Sequence, residues 1–184
     1  MTARRRQTAL DLPAQLTGVD ARDLALGVAP LVAGTIVGLA TNSRGTGWYR
    51  QLAKPSWTPP DAVFGPVWSV LYLLMGTASV LVARAGRARP ENASAVGQPG
   101  TDRAQAAFVV QLALNLGWSI LFFGARRPKA AGVEMAALWV SIAATVIAFA
   151  RVRLAAGLLL LPYLAWTSFA GLLNAEIIRR NPRA

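Results

Sequence analysis

The chain is 184 residues long, 54% hydrophobic and 15% charged, with a mean hydropathy of +0.42; soluble domains carry about 25% charged residues, so much of this surface must face something other than water. It has no cysteine and no histidine, which excludes disulfides, thiolate catalysis and thiolate metal sites, and removes the usual proton shuttle and the commonest metal and haem ligand. The net charge of +11 is scattered between apolar segments and forms no continuous basic face, so it fits interfacial anchoring and argues against nucleic-acid binding.

Residues 1–23 read as a polar N-terminal extension. Arg4, Arg5 and Arg6 resemble the start of a signal peptide. The next apolar run, however, begins only at Leu24, past Asp11, Asp20 and Asp23, with no small-residue cleavage site. From there, apolar segments recur at 24–41, 63–83, 104–125, 130–150 and 154–178. Each has about the 17–25 residues that cross a hydrocarbon core as a helix. Lipid leaves no partner for unpaired backbone groups, so the pattern predicts an all-α integral membrane bundle of five transmembrane helices over 24–180, with a tail at 181–184. The segment 84–103, rich in Arg, Gly, Pro and Asn, reads as a loop. The connections 126–129 and 151–153 are short enough to force spans 3, 4 and 5 into an antiparallel series. Lys and Arg near the span ends lean toward a cytoplasmic C-terminus.

The stretch KPSWTPPDAVFGPVW, residues 54–68, carries two tryptophans, a phenylalanine and four prolines at the entrance to span 2. Thr58 is placed to cap a helix, Pro59 to take its first position and Asp61 to favour its dipole. Pro66 lies inside the span, where its ring meets the Ala62 carbonyl, and Gly65 beside it eases a kink. In span 2, Phe64, Trp68, Tyr72 and Met75 share one face. Gln111, Asn115, Trp118 and Phe122 do so in span 3, and Tyr163, Trp166, Ala170 and Asn174 in span 5, just after Pro162. Polar side chains at membrane depth turn toward the bundle interior, so the three stripes converge on one site.

Simpler roles compete for single residues. Trp48 and Trp57 also fit an interfacial aromatic belt, and Asn115 and Asn174 also fit helix bridging. The run from Gly34 to Gly38 fits close helix contact or dimerisation. Glu134, near Arg126, Arg127 and Lys129, and Glu176, before Arg179 and Arg180, read as paired or snorkelling; neither is read as catalytic.

Three blocks carry a family resemblance: WYRQLAKPSWTPPDAVFGPVWSVLYLLMG at 48–76, QLALNLGWSILFFGAR at 111–126 and LPYLAWTSFAGLLN at 161–174. They resemble the TspO family of tryptophan-rich sensory proteins and translocator proteins, also called peripheral-type benzodiazepine receptors. The resemblance implies a five-helix bundle in a bacterial cell membrane, paired as a homodimer, with one ligand cavity. Porphyrins such as protoporphyrin IX are its implied ligands, with no required cofactor and no metal site. On matching positions, the cavity would be lined by Trp68, Asn115, Trp118, Trp166 and Ala170, with Tyr49, Trp57 and Pro59 forming a lid. The stripes add Phe64, Tyr72, Phe122 and Asn174. Trp68 and Trp166 are the implied redox pair if the protein degrades porphyrin in light. The proposed sterol motif of mitochondrial relatives has no counterpart in LLNAEIIRR, at 172–180, which lacks tyrosine.

Together with the inward stripes, the resemblance implies a membrane receptor or carrier for tetrapyrroles. Indole faces suit the macrocycle, and Arg44, Arg50 and Lys54 are available for its carboxylates. The competing readings are a light-dependent porphyrin-degrading enzyme and a non-catalytic scaffold or sterol- or lipid-binding protein. No nucleophile–base pair or phosphate loop is visible in the sequence.

Overall fold

The computed structural model describes residues 20–88 and 99–183, with the backbone alone at 42–46 and 99. Among the described residues the fold is all-α, with five stretches long and apolar enough to cross a membrane. Residues 1–19, with Arg4, Arg5 and Arg6, and the centre of the 84–103 connection lie outside the described residues.

Helix α1 (Ala21–Gln51) starts at Asp20, whose side chain accepts from the Asp23 N–H at 2.7 Å. Its 31 residues span about 46 Å at ~1.5 Å per residue. The helix therefore runs ten residues past the expected end at 41. The polar segment stays helical because the next proline is Pro55 and because Tyr49, with Leu52 just beyond, finds burial against Phe122, Leu173 and Ile177.

Helix α2 (Asp61–Arg87) begins with Pro60 as its cap residue and Asp61 in its first turn. Thr58 does not cap it. Its hydroxyl instead donates to the Pro55 carbonyl at 2.8 Å, closing a turn inside the loop. Pro66 lies within α2, which continues through it as one helix.

Helix α3 (Pro99–Ser119) passes into a π-helical turn (Ile120–Gly124). The turn ends where Arg126 adopts φ 55° and the Arg127 N–H reaches the Leu121 carbonyl at 3.0 Å. Helix α4 (Pro128–Val152) follows, then α5 (Leu154–Leu159) and α6 (Leu161–Arg180). The fifth span, expected as one helix, is broken at Leu160. Pro162 has no N–H to continue the α5 ladder but suits the first turn of α6.

Helix α3 packs along α4, α1 along α2, and α6 against α4. The tight core sits toward one end, where Met75, Ala78, Val82, Leu138, Ile142, Phe149 and Tyr163 are fully enclosed. There α1 and α2 touch backbone to backbone: a Cβ on Gly76 would stand 1.9 Å from the Gly27 carbonyl oxygen. Asp23, 3% exposed, completes this end by pairing with Arg84 at 2.7 Å and with Arg87. Toward the other end, α1 and α2 leave a gap.

Candidate functional site

That gap is a cleft of 670 Å³ walled by α1, α2, the π-turn region and α6. Its size falls within the ~300–1,000 Å³ of small-molecule sites. On α2, Phe64, Trp68 and Tyr72 face it; Trp118 and Phe122 face it from α3 and the π turn; Trp166, Ala170 and Asn174 face it from α6. The upper parts of the three predicted stripes therefore meet around one space. Their lower parts do not reach it: Met75, Tyr163 and Gln111 are sealed into the core, each 0–1% exposed.

Asn115 is buried but not on the cleft wall. Its side-chain oxygen accepts from the Tyr72 hydroxyl at 2.8 Å, fixing the ring of a wall residue. Tyr72 is held from the opposite side by Gly34, where a Cβ would come within 2.2 Å of the ring. Gly34 of the small-residue run on α1 therefore serves contact with α2 inside the chain, whereas Gly38 has nothing within 4 Å of an added Cβ and lines the cleft.

The rings support one another at close range. Trp118 stacks on Phe122 at 5.0 Å between centroids, and Phe64 meets Trp166 edge-on at 5.8 Å. Trp68 lies 5.5 Å from Tyr72. Trp48, half-buried, packs on Phe122 at 5.6 Å and so joins the support behind the cleft. Three polar groups on the wall stay unsatisfied among the described residues: the indole N–H of Trp118, that of Trp166, and the amide of Asn174. Buried polar atoms normally have partners; these atoms are themselves buried behind the wall, the Asn174 amide nitrogen lying toward Gly132 of α4, where an added Cβ would stand 3.4 Å from it.

Of the residues expected to form the lid, Tyr49 lines the cleft from the last turn of α1, while Trp57 and Pro59 do not. Trp57 instead turns outward against Phe169, at 5.7 Å, in a separate groove with Leu172 and Arg179. Burial, followed by the nearby Asp61 charge, pushes the Tyr49 phenol above its ordinary pKa. Arg50 and Asp61 line the mouth. Lys54 is engaged elsewhere, donating to the Tyr49 carbonyl at 3.3 Å and sitting 4.1 Å above the Tyr49 ring. The Arg44 side chain lies outside the described residues.

Sequence reasoning missed Phe123 and the whole α1 wall, from Leu31 through Gly34, Thr35 and Gly38 to Thr41. The available signal was the small residues Gly34 and Gly38. It also misplaced Glu134. Glu176 is paired as expected, with Arg179 and Arg180 each at 2.6 Å. The Glu134 carboxylate oxygens instead are buried without a hydrogen-bond partner among the described residues. The reason is its inward-facing position beside Gly117, whose added Cβ would lie 3.9 Å away.

The model of the TspO/MBR family matches residues 26–180. The chain is 46% identical to the tryptophan-rich protein TspO of Chlorobaculum tepidum, over 73% of this chain and 80% of that protein. It is 37% identical to the tryptophan-rich sensory protein of Cereibacter sphaeroides, over 73% of this chain and 77% of that one. It is also 39% identical to the human translocator protein, over 76% of this chain and 78% of its relative. Five membrane-spanning helices, an aromatic cleft among them and these matches agree: the chain is an integral membrane protein that belongs to the TspO/MBR family.

Proposed function

We propose that this chain is a membrane receptor or carrier that holds a flat tetrapyrrole, such as protoporphyrin IX, in the cleft. The observation that carries the reading is the placement of Trp68, Trp118 and Trp166 on one space. Indole faces offer a large, rigid apolar surface to a macrocycle. Arg50 at the mouth is placed to meet a carboxylate as it leaves the bilayer core. With no histidine or cysteine in the chain, the site suits a metal-free ring better than a conventionally ligated one. The names of the relatives, sensory protein and translocator protein, accord with a role in sensing or moving such a molecule.

The test is titration of the detergent-solubilised protein with protoporphyrin IX, read by tryptophan fluorescence. Saturable quenching at one ligand per chain is expected. Ala170→Phe, which fills the cleft from α6, should abolish it without loss of helicity. Quenching of equal strength in Ala170→Phe would overturn the reading.

A further inference from the structure

Glu134 is the one acid in the chain between Asp102 and Glu176, and it does not line the cleft. It sits on α4, five residues past Lys129, or about 7.5 Å along the axis at ~1.5 Å per residue. Its carboxylate lies beside Gly117 of α3, where an added Cβ would stand 3.9 Å from Oε1. Both oxygens are buried without a hydrogen-bond partner among the described residues, so neither Arg126, Arg127 nor Lys129 bonds to them. Lys129 donates instead to the Pro182 carbonyl at 2.6 Å.

The elements packed on α4 bring no counter-charge to it. Between Arg103 and Arg126, α3 and the π turn hold no titratable side chain, and Trp118, next to Gly117, has its own indole N–H buried and unpartnered. From α6, Glu176 is held by Arg179 and Arg180. That leaves Tyr163, fully buried, with its hydroxyl also unpartnered among the described residues. Tyr163 lies within electrostatic reach of Tyr72, Asn115 and Glu134. Tyr72 in turn donates to Asn115 and lines the cleft from α2. A line of polar groups thus runs from the cleft wall through the core to one isolated carboxyl.

A bare carboxylate in this place has neither counter-charge nor hydrogen bond, in surroundings that screen charge poorly. Among the described residues no group of three acids could share a metal ion there. A proton, by contrast, needs one acid alone and cancels its charge. From this geometry we infer that Glu134 is a proton-binding site within the bundle, and that its proton and an anionic guest of the cleft bind together. The coupling is electrostatic: ionised Glu134 repels the guest's carboxylates, and neutral Glu134 does not. By linkage, the guest favours the proton by the same factor. The proton comes from water and returns to it, and no bond to the guest forms. The coupling rests on the cleft being the ligand site.

Glu134→Gln keeps the shape of the side chain and is neutral at every pH. Protoporphyrin IX affinity is measured by quenching in both proteins, from mildly acidic to mildly alkaline pH. The guest's own titration is common to both and cancels in the comparison. Wild type should lose at least about tenfold more affinity than Glu134→Gln over that range, ~1.4 kcal/mol. In weakly buffered alkaline detergent, wild type should also take up protons on binding that Glu134→Gln does not. Glu134→Asp keeps an acid in place and should keep the pH dependence. Identical pH profiles in wild type and Glu134→Gln would overturn the coupling. Affinity that follows sodium concentration at fixed pH would overturn the proton in favour of a cation.

Ligand-free measurements separate this inference from the receptor reading. The infrared difference between wild type and Glu134→Gln should show a protonated-carboxyl C=O band at mildly acidic pH that fades as pH rises. Trp118 lines the cleft beside Gly117, so tryptophan emission should follow the same titration in wild type and stay flat in Glu134→Gln. Absence of the band, or emission that ignores it, would overturn the inference whether or not porphyrin binds. Both signals without any porphyrin quenching in wild type would uphold the proton site and its link to the cleft, and defeat the receptor reading alone.

Discussion

At Gly76 the bundle leaves no room for a methyl group. Adding one drives Cβ to 1.9 Å from the Gly27 carbonyl oxygen, a backbone atom that cannot swing aside. Gly76→Ala is therefore expected to cost about 1–3 kcal/mol, the range for overpacking a close contact, seen as a lower melting temperature in detergent. Gly47, with nothing within 4 Å of an added Cβ, is the control. Its replacement by Ala should leave stability unchanged or raise it by up to ~1 kcal/mol through helix propensity. Tyr49 supplies a prediction in pH. Its folded pKa is raised by burial and by Asp61, so the fold favours the protonated phenol. That contribution is complete below the ordinary tyrosine value of about 10 and is lost as pH rises through the higher folded value. Tyr49→Phe should remove this part of the alkaline loss of stability, measured by thermal unfolding across alkaline pH.

Among elements, α1 and α2 behave as a pair pinned at one end and parted at the other. The pin combines the Gly27–Gly76 contact with Asp23, which accepts from Arg84 and Arg87 across the helix ends. Asp23→Asn should lower stability by about 1.5–3 kcal/mol, the order expected for hydrogen bonds to a charged group. Glu176→Gln, which only loosens pairs within one exposed helix end, should shift the melting temperature less. The spans were legible because lipid imposes a minimum apolar length. Two features were not. The extension of α1 to Gln51 depends on tertiary burial of Tyr49 and Leu52, which no local period encodes. The π turn adds a residue to one helical turn and so brings Phe123 to the cleft beside Phe122. A plain spacing of three and four finds Phe122 alone.

Over the whole molecule, the stripes showed which faces turn inward but not where each stripe leaves the core and enters open space. Met75 and Tyr163 pack solidly, while Trp68 and Trp166, one or two turns away, line the cleft. That division is set by how far α1 stands from α2, and α1 carried no stripe of its own. The proposed ligand site stands on the cleft tryptophans. The most direct measurement compares protoporphyrin IX affinity in wild type, Trp68→Phe with Trp166→Phe, and Trp139→Phe. Trp139 is 42% exposed on the outer surface and donates to Ser168 at 2.8 Å. The double variant should bind at least about tenfold more weakly, ~1.4 kcal/mol, within reach of two aromatic contacts at ~0.5–1.5 kcal/mol each. The Trp139 variant should match wild type. Equal affinity in all three proteins would contradict the claim.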